Sequence, residues 1–311
     1  MNFLLDMLEH KKKKEQWYCR WAPSLGDLED SAENVWGTKK YDPAKHANKP
    51  VIFFGLYGLN DFFTLWRHKG RKAILWAGSD ILHFRKGYWL DDKGDIRVEI
   101  RPLIEWIDKN CENYVENEAE AWMLKYPCYP EDGPGIRSSI VPSFLGDTSK
   151  YPVSFKQGNK VYLSANEGRQ LEYGFGIVES IAHLCPDIEF HLYGAKWETA
   201  QENVIVHGRI PKEKMNAEIR DMQCGLRLNK HDGFSEVTAK SVLWGQYPIT
   251  YLYFPKIDQY TADNRGFTNT EKSLMNLVRL LNDIPYKRKP NLRARNYYLK
   301  NLNQYVWNKK I

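Results

Sequence analysis

The feature that most constrains this chain is a repeated order: a short apolar run, a glycine, then a segment with helical spacing. KPVIFFGLYG (49–58) is apolar almost throughout and closes on glycines, the pattern of a strand buried on both faces. LNDFFTLWRHKG reads as a helix closed by Gly70, and RKAILWAGSD (71–80) as a second strand that breaks at Gly78-Ser79-Asp80. A helix opened by Pro102, a strand at ENYVEN, a helix ending before Pro127 and a strand at SSIVPSFLG complete the first half. Residues 22–48 and 85–97 are polar or rich in Gly and Pro and read as loops.

GDTSKYPVSFKQGN (146–159) has linker composition, and the same order then resumes. VYLS, IEFHLYG, NVIVHG, CGLRLN and YPITYLYF read as strands. Between them lie helices over Tyr173–Leu184, over PKEKMNAEIRDM, and over SEVTAKSVLWG with Gly245 at its end. Alternation of this kind implies parallel sheets covered by helices on both faces. At 311 residues the chain is about twice the usual domain size. The expectation is an α/β protein of two Rossmann-like domains, 1–150 and 158–285, facing a cleft, followed by a basic helix over 286–311 that crosses back to the first domain.

Charge is unevenly placed. Residues 1–285 hold 37 Lys and Arg against 39 Asp and Glu, whereas 286–311 hold eight cations and no acid. The net charge of +6 is therefore a property of the tail. Leu292, Leu299, Leu302 and Val306 have the spacing of one packed helical stripe, with Tyr297, Tyr298, Tyr305 and Trp307 among the cations. Such a surface suits a polyanion, either membrane headgroups or a nucleic-acid backbone. The Lys11–Lys14 run adds to either case. No run of about 18 uncharged apolar residues occurs, which excludes a polytopic membrane protein. The five cysteines are widely spaced with no C-x-x-C pair, pointing to a reducing, cytoplasmic setting.

The stretch CGLRLNKHDGFSEVTAKSVLWGQYPI (224–249) carries the chemistry. A strand delivers Arg227 and the polar turn Lys230-His231-Asp232-Gly233, and Ser235 is placed to cap the next helix. Ligands of open α/β sheets bind beyond the carboxyl ends of strands, and a helix N-terminus there suits phosphate. A capped βα loop with no ligand is the alternative reading of the same residues.

Asp232-Gly233-Phe234-Ser235, followed by a helix and Gly245-Gln246-Tyr247-Pro248, resembles the donor-binding region of retaining GT-B glycosyltransferases of the family-four kind. The upstream order of VYLSANEGRQLEYG, IEFHLYG and Asn203 to Gly208 is similar to that family, as is Trp76-Ala77-Gly78-Ser79-Asp80. The resemblance implies a nucleotide sugar as co-substrate, with no resident cofactor. Asn166, Arg169 and Gly174 in one loop and Gly233, Phe234 and Ser235 in the other would hold the diphosphate. Arg227, Lys230 and His231 stand beside it, Asp232 lies near the donor sugar, and the loop after His207-Gly208 contacts the base. The family has a Glu eight residues after its first acid, whereas this chain has Lys240. An ammonium accepts no hydrogen bond. Lys240 therefore binds a donor phosphate, pairs with Glu236 one turn earlier, or marks a degenerate site.

In the first half, Asn60 and Ser79 are candidate acceptor contacts and Asp80 a candidate base, with helix capping as its alternative. His68 and His83 are better read as surface histidines than as catalysts. No H-x-x-H or D-x-D spacing occurs, in keeping with a metal-independent transfer. The expected activity is transfer of a sugar to a cell-surface glycan or glycolipid, at the membrane face. Transfer to modified bases of DNA and a degenerate nucleotide-sugar-binding module are the alternatives. An oxidoreductase is disfavoured by the lack of G-x-G-x-x-G.

Overall fold

The computed structural model describes residues 15–22, 29–85, 88–90, 97–126, 135–261 and 270–307. The Lys11–Lys14 run and the last cations, Lys309 and Lys310, lie outside them. The chain forms two compact units. One runs to Glu116 and adds Glu120–Val141 and Asn303 onward; the other is Asn117–Ala119 with Pro142–Leu302.

In chain order, unit 1 comprises β1 (Tyr18–Trp21), α1 (Glu29–Trp36), β2 (Lys39–Lys40), α2 (Pro43–His46), β3 (Val51–Phe54), α3 (Leu59–Arg67), β4 (Lys72–Leu75) and α4 (Ser79–Arg85). A hairpin of β5 (Tyr88–Leu90) and β6 (Arg97–Glu99) follows, then α5 (Arg101–Asn110), β7 (Glu112–Val115), α6 (Glu118–Lys125, its first two residues counted with unit 2) and β8 (Ser139–Ile140). The main sheet is parallel, in the order β2-β1-β3-β4-β7-β8. All four residues of β3 are buried, as expected of a central strand covered on both faces. The order reverses between β1 and β3, which makes that gap the switch point of the sheet.

Unit 2 comprises β9 (Lys160–Ser164), α7 (Gln170–Tyr173), α8 (Phe175–Ile181), β10 (Glu189–Tyr193), β11 (Val204–Gly208), α9 (Lys212–Ile219), β12 (Cys224–Arg227) and α10 (Glu236–Leu243). Then come β13 (Ile249–Thr250), β14 (Asp258–Gln259), α11 (Thr270–Asn282) and α12 (Leu292–Asn301). Its sheet is also parallel, ordered β11-β10-β9-β12-β13-β14. Counted from β9 this is 3-2-1-4-5-6, the Rossmann order, and its switch point lies between β9 and β12. Val161, Leu163, Phe190, Leu192, Cys224 and Leu226 carry the core on one face of this sheet. Among the described residues no helix is long and apolar enough to cross a membrane.

Several local expectations change. The supposed linker is packed: Ser154 and Phe155 donate their N–H groups to the Trp244 carbonyl, and Tyr151 lies 5.4 Å from the Trp244 ring. The helix expected over Tyr173–Leu184 is broken at Gly174, whose φ of 98° belongs to no right-handed helix. The strands at 139–140 and 249–250 have two residues each. The segment 22–48, read as loop, holds α1, β2 and α2. The stripe of α12 is Ala294 and Tyr298, both fully buried, while Leu292 and Leu299 stay exposed. The return of the chain to unit 1 is made after this helix. There Asn303 accepts a hydrogen bond from Trp36 Nε1 at 3.4 Å, and Trp307 packs 4.7 Å from Trp17.

Candidate functional site

At the switch point of unit 2, the loop after β9 begins with a turn closed by Arg169 N–H on the Asn166 carbonyl at 3.0 Å. Gly168 supplies the positive φ, 80°, which such a turn requires at its third position. Gly174 ends α7 in the left-handed region, and a Cβ there would lie 2.7 Å from Leu228 Cβ. No other residue fits, so the loop after β9 sits directly against the chain leaving β12.

That approach builds a charged cluster. The Arg227 guanidinium carbon lies 4.2 Å from the centre of the Tyr173 ring, and that of Arg169 lies 4.9 Å from it. Arg169 Nε donates to Glu172 Oε2 at 2.8 Å, and Arg227 Nε is paired with Asp232 Oδ2. The hydrogen bond from Arg169, reinforced by Arg227 and His231, holds the Glu172 carboxyl below its usual range. Arg227 and Asp232 are largely enclosed, with side chains 14% and 21% exposed. Lys230 and His231 are exposed, and Asn229 Nδ2 ties the turn by donating to the His231 carbonyl at 2.8 Å. Arg169, Arg227 and Asp232 thus come together around Tyr173, Gly174 lies against the chain leaving β12, and Asn166 opens the same turn. Glu172 and Tyr173 were missed. Their one sequence signal is spacing of three and four residues from Arg169 along a helical turn.

Ser235 caps α10: its Oγ accepts from Thr238 N–H at 3.2 Å. Phe234 corrects the sequence reading. Its ring is buried, stacked 4.7 Å from Tyr298 and edge-on to Phe254 at 5.3 Å, so it anchors the turn from inside the core and offers no face to a ligand. Lys240 is 5% exposed and donates to Glu236 Oε2 at 2.8 Å and Asn216 Oδ1 at 3.1 Å. Glu236 also meets Lys212 at 3.3 Å. Burial pushes the Glu236 carboxyl up, but Lys240 and Lys212 outweigh it and hold it low. Of the three accounts of Lys240, this geometry favours pairing with Glu236, as a bridge from α10 to α9.

Beside β10, a bulge lets His207 Nε2 meet His191 Nδ1 at 2.8 Å. His191 Nε2 faces Glu189 at 2.7 Å, the His207 ring stacks 4.2 Å from Tyr193, and Tyr193 donates to Glu218 at 2.9 Å. Burial holds both imidazoles below their ordinary pKa.

In unit 1, Asp80 is fully buried and accepts backbone N–H bonds from Leu56 (2.9 Å), Ala77 (2.9 Å) and Ile81 (2.8 Å). Burial pushes its pKa up to about 7 in spite of these bonds. All of these contacts fasten the two loops leaving β3 and β4 to each other, and enclosure leaves no access for a reacting hydroxyl. The geometry therefore assigns Asp80 a positioning role in place of the expected base. Trp76 of the same motif is also buried, donating to Asn113 at 3.2 Å. Ser79 Oγ lies 3.1 Å from Tyr57 OH, and Asn60 is exposed in the first turn of α3. His68, read as a surface residue, is buried between Tyr41 OH (3.1 Å) and the Lys49 carbonyl (2.8 Å); His83 is exposed. At the switch point itself, Arg20 pairs with Asp61 at 2.5 Å, and Asp61 accepts Tyr57 N–H at 2.8 Å. No sequence pattern marked Arg20. Among the described residues no three His, Cys, Asp or Glu side chains are grouped to hold a metal ion.

No protein-family model matches the sequence, and no curated protein does. Solved structures do match. Sucrose-phosphate synthase from Thermosynechococcus elongatus aligns with a TM-score of 0.56 and 12% identity, over 85% of this chain and 72% of that one. The pneumococcal O-GlcNAc transferase GtfA, in complex with UDP and GlcNAc, aligns at 0.52 and 9%, over 84% and 55%. TarM aligns at 0.52 and 14%, over 83% and 54%. The chain spans about half the length of GtfA and TarM. At these identities the likeness is one of fold, a GT-B fold whose two units each carry a parallel sheet.

Proposed function

We propose that the chain is a glycosyltransferase that binds a nucleotide sugar at the β9/β12 switch point and passes the sugar to a glycan or glycolipid acceptor. The observation that carries this reading is the pair of guanidinium groups, Arg169 and Arg227, gathered around Tyr173 at the switch point of a GT-B fold. Loss of a sugar from its nucleotide places growing negative charge on the departing diphosphate. Fixed cations and N–H groups aimed at that charge stabilise the transition state more than the ground state. Arg169, Arg227, Lys230 and the first turn of α10 supply them. Glu172 and Asp232 orient the two guanidinium groups, and Asp232 lies beside the sugar. This set of cations supports a transfer that needs no metal, and resemblance to the retaining family supports retention of configuration. Asn60 and Ser79 of unit 1 are the proposed acceptor contacts. Exposed Arg288, Lys289, Arg293 and Lys300 support docking on an anionic surface. The neighbours support the donor class, since one is an O-GlcNAc transferase seen with UDP and another a sucrose-phosphate synthase.

Thermal shift against UDP-, GDP-, ADP-, TDP- and CMP-sugars tests this reading. One nucleotide class should raise the melting temperature, by an amount equivalent to about 2.7 kcal/mol at a hundredfold excess over Kd. Arg169→Ala, at an exposed side chain, should remove the shift without lowering the unliganded melting point. Absence of a shift with every donor contradicts the proposal.

A further inference from the structure

We propose that unit 2 carries a second site, remote from the donor loops, that holds a neutral oligosaccharide. A groove of about 870 Å³ is lined by residues 157–159 just before β9, by Pro186 and Asp187 before β10, by Asn282 at the end of α11 and by Pro285 and Tyr286 after it. Its volume is within the roughly 300–1,000 Å³ of ligand clefts. Because the sheet is parallel, this groove lies at the amino ends of β9 and β10, the opposite end from Arg169 and Arg227.

Three side-chain amides brace its walls through their nitrogens. Gln157 Nε2 donates to the Pro285 carbonyl (3.2 Å), Asn159 Nδ2 to the Asp187 carbonyl (2.6 Å) and Asn282 Nδ2 to the Leu184 carbonyl (3.3 Å). The amide oxygens and the Asp187 carboxylate are acceptors, and each amide nitrogen has a second N–H to donate. Tyr286 adds an aromatic ring that is 76% exposed. An aromatic face for the C–H side of a sugar ring, with fixed acceptors for its hydroxyl groups, is the chemistry that recognises a saccharide. No Lys or Arg lines the groove, and Asp187 repels anions, so a neutral glycan fits and a phosphorylated or sulfated one does not. Such a site would hold part of a longer glycan on the protein surface.

The test is saturation-transfer NMR on the full chain with neutral oligosaccharides of glucose and of N-acetylglucosamine, and with a sulfated oligosaccharide. At least one neutral series should bind. Tyr286→Ala should weaken binding more than tenfold with an unchanged melting temperature, and Gln157→Ala should weaken it severalfold. Arg227→Ala should leave it intact, which separates this site from the donor site. Binding of no neutral oligosaccharide, binding indifferent to Tyr286→Ala, or binding of the sulfated series alone overturns the proposal.

Discussion

At the β1/β3 switch point of unit 1, a cation is answered by a carboxylate and both are enclosed: Arg20 is held by Asp61, while Asp80, after β4, is buried on three backbone N–H groups. Between β9 and β12 of unit 2, Arg169 and Glu172 are half exposed, and Lys230 and His231 face solvent beside Arg227 and Asp232. Both units are parallel sheets with a switch point, yet one uses its charges to fasten loops and the other presents them. Topology alone therefore locates two places where a ligand could bind, and the exposure of the charges separates them.

Phe234→Ala should disturb this contrast most. Removing a buried aromatic side chain costs about 3–5 kcal/mol. The loss should fall on unit 2, loosening the turn that carries Asp232 and weakening donor binding along with stability. Denaturant unfolding followed by hydrogen exchange should show unit 1 unchanged.

A pH titration sharpens the comparison, because Asp80 of unit 1 and the His191–His207 pair of unit 2 should contribute with opposite sign. Each is partly offset within its unit, Asp80 by His68 (held low) and the histidine pair by Asp258 (held high). The Asp80 pKa is raised from 3.8 to about 7. Between those values the folded state holds a proton that the unfolded state releases, so unit 1 loses stability as pH rises from about 4 to about 7. His191 and His207 are held below 6.5. The unfolded state takes up protons there more readily, so unit 2 loses stability as pH falls below about 6.5. Exchange rates of the two units measured from pH 5 to pH 8 should show the crossing. Asp80→Ala should flatten the first trend and His207→Gln the second.

The smallest effect is expected from Lys240→Met. It keeps the buried apolar stem and leaves Glu236 paired with Lys212, so the lost bonds to Glu236 and Asn216 should cost about 1–2 kcal/mol. Donor affinity, measured by titration calorimetry, should change less than twofold. A tenfold loss would show that Lys240 reaches the donor and that the bridge to Glu236 opens on binding.

The central strands of both units were legible because burial on two faces leaves an uninterrupted apolar run, as in Val51–Phe54 and Val161–Leu163. β1 was not: Tyr18-Cys19-Arg20-Trp21 includes a charge whose partner, Asp61, lies 41 residues away. Two-residue strands such as β13 carry too little pattern to be bounded. At the candidate site, Asp232 to Ser235 and Arg169 to Gly174 stood out because turn chemistry is local. What the sequence hid was which way side chains point. Phe234 turns inward to Tyr298, Lys240 turns toward Asn216, and Asp80 closes on three backbone N–H groups. Each outcome depends on contacts far along the chain or on backbone direction, which local pattern does not encode.

The most direct measurement is hydrogen–deuterium exchange with and without a saturating nucleotide sugar, chosen by the thermal-shift screen. If the donor binds at the unit 2 switch point, residues 166–175 and 227–237 should exchange more slowly while 55–61 and 77–81 stay unchanged. Protection confined to the unit 1 loops, or none in either unit with a donor that binds, would contradict the account.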